Sequence, residues 1–324
     1  MECCVIHKEE PNQVNVYERA DRADPTRTKT LRDEFARQMT KRFRQLRGEI
    51  REAIVDKDVF GLKDEGITAQ SVSVYVTPER GAFAFTQSER KVDSFMDWLE
   101  DRQRAGILET QRIPGVLEGE DRPWSDVYIK DSYKRGVQRS RYEMKKAGYD
   151  VPSIEAQGGI DAVMDMPFHA DRVGTLYSRA YNELKGITSA MDSQIGRVLA
   201  EGIADGDHPS LLARKINSTI SGKNLGELGI TDTLGRFIPA ERRARMMART
   251  ETIRAHHQAT ITEYESWKVE GVHVRAEWRT AGYNVCPECA DYEMGGPYSL
   301  KEIRNMIPLH PDCRCIALPT EKNN

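Results

Sequence analysis

The sequence lacks long apolar runs, and between residues 5 and 285 it lacks cysteine altogether. No apolar stretch approaches the ~18 residues of a membrane span, and the opening MECCVIHKEEP has no apolar signal-peptide core. Positive charge is not in excess either, because 48 Lys and Arg stand against 51 Asp and Glu. We therefore expect a soluble protein, made in the cytoplasm without membrane contact, in which any nucleic-acid contact comes from a local basic patch.

The composition is polar, yet the apolar residues recur at regular intervals, which excludes general disorder. The 324 residues are 39% hydrophobic and 31% charged. We predict an α+β fold that is mainly α, and the length alone indicates roughly two domains. Changes of pattern divide the chain into an N-terminal arm with an amphipathic helix (1–62), a middle α/β region (63–165), a helical region (166–237) and a C-terminal domain (238–324).

A long amphipathic helix is predicted over residues 31–54. Its apolar positions recur at steps of three or four, namely Leu31, Phe35, Met39, Phe43, Leu46, Ile50 and Ile54. The other faces are basic and carry Arg37, Lys41, Arg42, Arg44, Arg47 and Arg51. Two interpretations of the basic residues stay open, a solvated helix face or a stripe that faces a partner or DNA. We expect the arm and this helix to dock the protein onto a partner.

Further helices and a small β hairpin are predicted along the chain. The hairpin is expected at VSVYVT (72–77) and AFAFT (82–86), around a Pro-Glu-Arg-Gly turn. Loops are expected over 115–123 and 148–163, where glycine and proline accumulate. Helices are expected at 88–105, 123–148, from about 170 to Gly202, from Pro209 to Ile220 and at 239–268, with small β pieces at the C-terminal end.

The C-terminal cysteines have the spacing of a metal site. Cys286 and Cys289 form a CxxC pair, and after twenty intervening residues His310 and Cys313 repeat that spacing, with Cys315 as a fifth donor. Zinc prefers four nitrogen or sulfur ligands in a tetrahedron, and two such turns close that shell without water. We therefore predict a zinc-knuckle module with one structural zinc and no catalytic residue.

Five donors compete for the four places around one zinc. The symmetry of the two turns favours Cys286, Cys289, His310 and Cys313. In an extended strand, however, Cys313 and Cys315 point to the same side, so that Cys315 can replace Cys313. Reduced buried cysteines or a disulfide are the alternative to a metal.

The other histidines are predicted to be surface or packing residues. His7, His169, His208 and His273 are isolated in the sequence, and the neighbours His256 and His257 point about 100° apart on a helix.

The predicted helix at 239–268 has an inconsistency in Ala248-Arg249-Thr250-Glu251-Thr252, since threonine is a poor helix former. We expect Thr250 or Glu251 to hydrogen-bond the backbone around the zinc turn. The alternative is a solvated Glu251 in an ordinary charged helix.

The order ARTET, helix, Gly271-Val272, Trp278, CPEC and HPDCRC resembles the phage head-morphogenesis family, the minor head proteins similar to the F protein of phage Mu. The resemblance covers roughly 170–319 and is most specific over 245–316. The opening DPTRTKTLRDEF and the FGL at 60–62 also resemble some tailed-phage members. Asn284 departs from the pattern, because an acidic residue is expected before CPEC.

The resemblance implies a virion protein inside the capsid near the portal vertex, which acts in head morphogenesis and in the exit of DNA from the head. The implied partners are the portal protein, the major capsid or scaffolding protein, and packaged DNA. Two other functions compete. A zinc-dependent nuclease needs a second His or carboxylate set beside the zinc. A zinc-ribbon DNA-binding protein needs a basic patch, whereas residues 271–319 are nearly balanced in charge. We expect no enzymatic activity.

Overall fold

The computed structural model describes residues 24–63, 88–112, 121–223, 238–282 and 284–321. Within these ranges the fold is mainly helical, with two small antiparallel sheets, as the sequence predicts. The predicted hairpin at 72–86 lies outside the described residues. No helix in the described part of the chain combines the length and apolarity that crossing a membrane requires.

The helices follow the predicted periodicities closely. They are α1 (Lys29–Arg51, continued by a π turn at Glu52–Asp56), α2 (Ser88–Gly106), α3 (Asp126–Lys146), α4 (Ile160–Met164), α5 (Pro167–Ala204), α6 (Pro209–Ser221), α7 (Ala240–Ser266), α8 (Pro287–Met294) and α9 (Leu300–Ile303). Single 3₁₀ turns lie at Glu155–Gln157 and Trp267–Glu270. The strands are β1 (Thr110–Arg112), β2 (Asp121–Pro123), β3 (Arg275–Arg279), β4 (Tyr298–Ser299) and β5 (Ile316–Pro319).

The two predicted loops contain short regular elements. Residues 121–123 form β2, which pairs antiparallel with β1, and the loop at 148–163 contains a 3₁₀ turn and the start of α4. Elements of three to five residues are too short to show a periodicity. The start of α6 is predicted correctly, because His208 caps the helix and Pro209 occupies its first position.

The described residues form two compact units, and each unit combines separate stretches of the chain. The first unit draws on Met1–Phe35, Ser125–Ala180 and Met246–Asn324, and the second on Ala36–Trp124 and Tyr181–Arg245. Three of the boundaries fall within α1, α5 and α7. The division into four sequence segments stays a prediction.

The core of the first unit is built around a three-stranded antiparallel sheet in the order β4-β3-β5. Side chains alternate along β3, so that Ala276 and Trp278 are buried while their neighbours are exposed. These two residues pack in one apolar cluster with Ile253 and Ile261 of α7. Three of the C-terminal cysteines belong to the same cluster, namely Cys289, Cys313 and Cys315.

The second unit contains most of α1. The predicted apolar stripe of α1, from Leu31 to Ile54, is buried along its whole length, with each side chain at most 8% exposed. The π turn after α1 packs on α6, and Arg42 lies 4.1 Å above the ring of Trp124. Other parts of the chain therefore cover the apolar stripe of α1, and its basic face is the one left exposed.

Candidate metal centre

The CPEC segment folds as the first turn of α8. Cys286 is the N-cap of this helix, and its Sγ accepts the backbone N–H of Cys289 at 3.3 Å. Pro287 takes the first helical position, where a missing N–H costs nothing. The turn places both sulfurs on one side, where Cys286 is half-buried and Cys289 is buried.

His310 brings its ring nitrogen to both of these sulfurs. Its Nε2 lies 3.3 Å from the Sγ of Cys286 and 3.3 Å from the Sγ of Cys289. Its Nδ1 lies 2.8 Å from the carbonyl oxygen of Pro311, which can only accept a hydrogen bond. Nδ1 therefore carries the proton, and the lone pair of Nε2 faces the cysteines. A backbone carbonyl that fixes the tautomer in this way is the usual support for a metal-ligating histidine.

Cys313 and Cys315 complete the cluster from the segment that leads into β5. Hydrogen bonds from the thiols of Cys289 and Cys315 lower the pKa of Cys313, and the bonds that Cys289 makes with Cys313 and Cys315 raise the pKa of Cys289. Three clustered sulfurs without a positive charge among them cannot all lose their protons. A bound divalent cation removes that conflict, because it stabilises every thiolate that it touches.

The donors form two overlapping groups that share Cys289. One group is Cys286, Cys289 and His310, and the other is Cys289, Cys313 and Cys315; within each group the ligand atoms lie within 4.8 Å of one another. Zinc–sulfur and zinc–nitrogen bond lengths in a tetrahedron imply a sulfur–nitrogen separation of about 3.6 Å. The observed distances of 3.3 Å are close to it. The five predicted donors are therefore close enough to bind a metal ion.

A cavity of about 690 Å³ beside the cluster is lined by Cys315 but not by Cys313. Four donors line it, namely Cys286, Cys289, His310 and Cys315, whereas Cys313 does not. Cys313 instead lies close enough to His257 of α7 for its charge to raise the pKa of that histidine. Cys313 therefore does not line the cavity, although its sulfur lies within 4.8 Å of the sulfurs of Cys289 and Cys315.

Trp278 supports the cluster in a way that the sequence did not indicate. Its buried indole N–H has no acceptor at ordinary hydrogen-bond distance, but it interacts with the sulfur of Cys315. The thiol of Cys289 and, less strongly, this indole lower the pKa of Cys315, but the hydrogen bond with Cys313, burial and the charge of Cys313 together raise it overall. The alternation of side chains along β3 predicts that Trp278 is buried. Its contact with Cys315 depends on the pairing of β3 with β5, which the sequence does not show.

The ARTET segment contacts the second metal-binding turn, as predicted. The hydroxyl of Thr250 accepts the backbone N–H of Asp312 at 3.4 Å, and Arg249 lies 3.5 Å from the Asp312 carboxylate. Glu251 is 4% exposed and pairs with Arg254 and Arg179. The alternative of a solvated Glu251 is therefore wrong.

His256 and His257 are packing residues. Both are 1% exposed, and the Nε2 of His257 donates to the carbonyl of Ile303 at 3.0 Å. Burial lowers the pKa of His256 to about 3 and that of His257 to about 4, so both are neutral near pH 7. His169 is also fully buried and pairs with Tyr133 and Glu263, away from the metal donors.

No protein-family model matches the chain, and neither a curated protein nor a solved structure does. The resemblance to the phage head-morphogenesis family therefore rests on the ARTET, CPEC and HPDCRC motifs themselves. All three motifs lie within the first unit.

Proposed function

We propose that the chain is a minor head protein of a tailed phage, located inside the capsid near the portal vertex, where it acts in head morphogenesis. The observation that carries this proposal is the contact between Thr250 and Asp312. It joins two motifs that are about sixty residues apart in sequence and on which the resemblance to this family depends. A shared fold requires such motifs to meet, whereas a chance coincidence of short motifs does not.

The metal that fits the cluster best is zinc. The donors are four sulfurs and one imidazole nitrogen, which zinc prefers, whereas magnesium and calcium prefer oxygen. We assign Cys286, Cys289, His310 and Cys315 as the four ligands, because these four face one cavity. Cys313 is then a buried thiol behind the site. One zinc bound in this way links α8 to the segment that precedes β5.

Elemental analysis of reduced, purified protein tests the zinc assignment. We expect about one zinc per chain, lost in Cys315→Ser and retained in Cys313→Ser. The opposite pattern would overturn the choice of the fourth ligand. Protein that is folded and fully reduced but contains no metal would overturn the zinc site itself, and a cluster of reduced buried cysteines would then replace it.

Intact phage particles test the head-protein assignment. An antibody against the chain should detect it in particles purified from the host that carries the gene, and chemical cross-linking should join it to the portal protein. Particles made without the gene should be fewer or should eject their DNA less efficiently. Detection of the chain only in the particle-free lysate would overturn the assignment.

The cavity beside the cluster is the observation that favours a zinc-dependent nuclease as the second candidate. The cavity is also lined by two carboxylates, Glu288 and Asp312. Asp312, however, already pairs with Arg249, and the donor set leaves no open position if four ligands bind. Purified zinc-loaded protein should therefore leave single- and double-stranded DNA uncut with Mg²⁺ or Mn²⁺. Cleavage that disappears in His310→Ala, with the fold retained, would establish the nuclease instead.

A zinc-ribbon DNA-binding protein has less support. Two of the basic residues around the cluster already have acidic partners, since Arg279 pairs with Glu277 and Arg304 pairs with Glu265. Neutralised arginines release few counterions from DNA, so this surface binds phosphate weakly.

A further inference from the structure

The second unit contains a basic cavity that neither the metal centre nor the head assignment uses. The cavity has a volume of about 360 Å³ and lies between the C-terminal part of α1 and one face of α6. Four cationic side chains line it, namely Arg47 and Arg51 from α1 and Arg214 and Lys223 from α6 and the residues after it. None of the described residues that line it is acidic, and Ser210 adds a hydroxyl group.

The two helices hold this cavity in a fixed shape. The side-chain amide of Asn217 in α6 donates to the backbone carbonyl of Arg47 at 3.3 Å. The side chain of Arg47 is only 19% exposed, and its Nε is buried without a hydrogen-bond partner. Its other end lies 3.7 Å from Glu241, a loose ion pair that neutralises one of the four cations in part.

An exposed basic strip on α1 continues from the cavity. Arg37, Lys41, Arg44 and Arg51 are all exposed, and their spacing places them within an arc of about 80° on the helix. The strip extends for about 21 Å, at 1.5 Å per residue. Between its ends this arc contains Gly48 and no acidic residue. A Cβ built on Gly48 would meet no atom within 4 Å, so the backbone there is open to close approach.

Helix dipoles do not explain this arrangement. A cation near a helix C-terminus is stabilised by the dipole, which accounts for Arg51 and Lys223. Lys41 and Arg44 lie in the middle of α1, and Arg214 lies in the middle of α6, where the dipole has little effect. These three exposed charges repel the others unless an anion lies among them.

We propose that the basic strip of α1 and the adjoining cavity bind the phosphate backbone of nucleic acid without reading its sequence. A duplex carries one negative charge per 1.7 Å of its axis with both strands counted, so a 21 Å length of duplex carries about 12 charges, and those on its near side can meet the strip. A membrane surface fits less well, because an interfacial helix must insert an apolar face, and the apolar stripe of α1 is buried in the chain. The proposal rests on the second unit alone and does not depend on the virion role.

Binding of the full-length, zinc-loaded protein to a short labelled DNA duplex of random sequence tests the proposal across a salt series. In Arg44→Gln/Arg51→Gln/Arg214→Gln, the loss of three phosphate contacts should reduce the slope of log K against log salt by about 3. Affinity at about 50 mM salt should fall about tenfold or more. The three side chains are exposed, so the zinc content and the urea midpoint should stay those of the wild type.

A matched control removes three other exposed cations of the same unit. The variant Arg102→Gln/Lys185→Gln/Arg197→Gln loses the same net charge at positions outside the cavity and the strip, and it should bind the duplex as the wild type does. Equal loss in both variants would show a general charge effect and overturn the site. The proposal would also be overturned if the wild type did not bind DNA at low salt, or if it bound phosphatidylserine vesicles but not DNA.

Discussion

Two buried polar clusters in the first unit are built in opposite ways. In the first, Glu263 accepts hydrogen bonds from the Nε of Arg141 at 2.6 Å and from the indole N–H of Trp267 at 2.8 Å. His169 donates to Glu263 from Nε2 at 3.2 Å and accepts from the hydroxyl of Tyr133 at 2.9 Å. Burial alone would raise the pKa of Glu263, but the His169 hydrogen bond, the charge of Arg141 and the Trp267 indole together lower it.

The second cluster is that of the metal donors, and it has no internal counter-charge. The polar groups that contact the sulfurs of Cys286, Cys289, Cys313 and Cys315 include one another, His310, backbone groups and the indole of Trp278, and Cys313 also interacts with the neutral His257. The Glu263 cluster is complete with the protein's own groups. Among the described residues, the Cys/His cluster has no such counter-charge of its own, and its donors are close enough to bind a metal ion.

This difference separates a polar core from a ligand site. Burial and strong pKa shifts occur in both clusters, so neither property identifies a site by itself. What distinguishes the metal donors is that they have lone pairs in excess and too few donors or positive charges to satisfy them.

The largest effect should follow from removing Cys289, which belongs to both donor groups. Cys289→Ser should lose the zinc and with it the apparent binding free energy of about 10 kcal/mol or more that structural zinc supplies. In hydrogen exchange, the amides of β3 and β5 should then lose protection, whereas those of α6 in the second unit should keep it. EDTA should have the same effect on the wild type.

Cys4→Ser is the matched control for this prediction, since it removes a thiol that is remote in sequence from the donors. It should keep both the zinc and the protection of β3. If Cys289→Ser leaves β3 as protected as in the wild type, the cluster is complete without a metal and the comparison above fails.

The next largest effect should come from Glu263→Gln. The side chains of Glu263 and Arg141 are 0% and 5% exposed, so this change leaves a buried guanidinium without its counter-charge. We expect a loss of about 3–5 kcal/mol in the free energy of unfolding, measured in urea, while zinc content stays that of the wild type. Asp161→Asn removes an exposed pair with Lys134 and should cost less than about 1 kcal/mol. Loss of zinc in Glu263→Gln would show that the two clusters are not independent.

The sequence predicted these two clusters unequally. The metal donors can be predicted from the sequence because each turn places its candidate ligands two or three residues apart, a spacing that is typical of metal sites. Glu263 and Arg141 are 122 residues apart, and nothing local to either residue indicates the other. His169 was expected to be a surface or packing residue, and packing is what the structure shows.

The same limit applies to the rest of the fold. Helices α1 and α5 span several turns, so their periodicity was clear, whereas β1 and β2 have three residues each and depend on a partner strand. The choice between Cys313 and Cys315 depends on which side of the segment before β5 faces the cavity. Strand direction alone gave both cysteines the same orientation, and both sulfurs indeed lie within 4.8 Å of the sulfur of Cys289. Only the lining of the cavity, which the sequence does not show, distinguishes them.

His256 provides a third kind of buried polar group, because its Nε2 has no partner in either cluster. Burial, with the neighbouring His257 and the charge of Arg139, lowers its pKa to about 3, whereas Asp24 acts in the opposite direction. The unfolded histidine titrates near 6.5, so below that pH the unfolded state binds a proton that the folded state does not. His256 should therefore lower the free energy of unfolding by about 1.4 kcal/mol per pH unit between about pH 6 and 4. The difference in free energy of unfolding between the wild type and His256→Gln, measured in urea, should therefore change by that amount per pH unit. Parallel pH profiles of the two proteins would contradict this prediction.

The smallest effect should come from Thr250→Val, which tests the link between α7 and the metal-binding turn. The Thr250 hydroxyl donates to the carbonyl of Met246 at 2.7 Å and accepts the N–H of Asp312 at 3.4 Å. Valine has nearly the same shape and helix propensity, so the change removes mainly the hydrogen bond from the Asp312 N–H, at a cost of about 1 kcal/mol in urea unfolding. Thr175→Val is the matched control, because Thr175 makes the same bond to Asp171 four residues earlier but lies exposed. Equal changes in the two variants would mean that the Thr250 contact with the turn contributes nothing to stability.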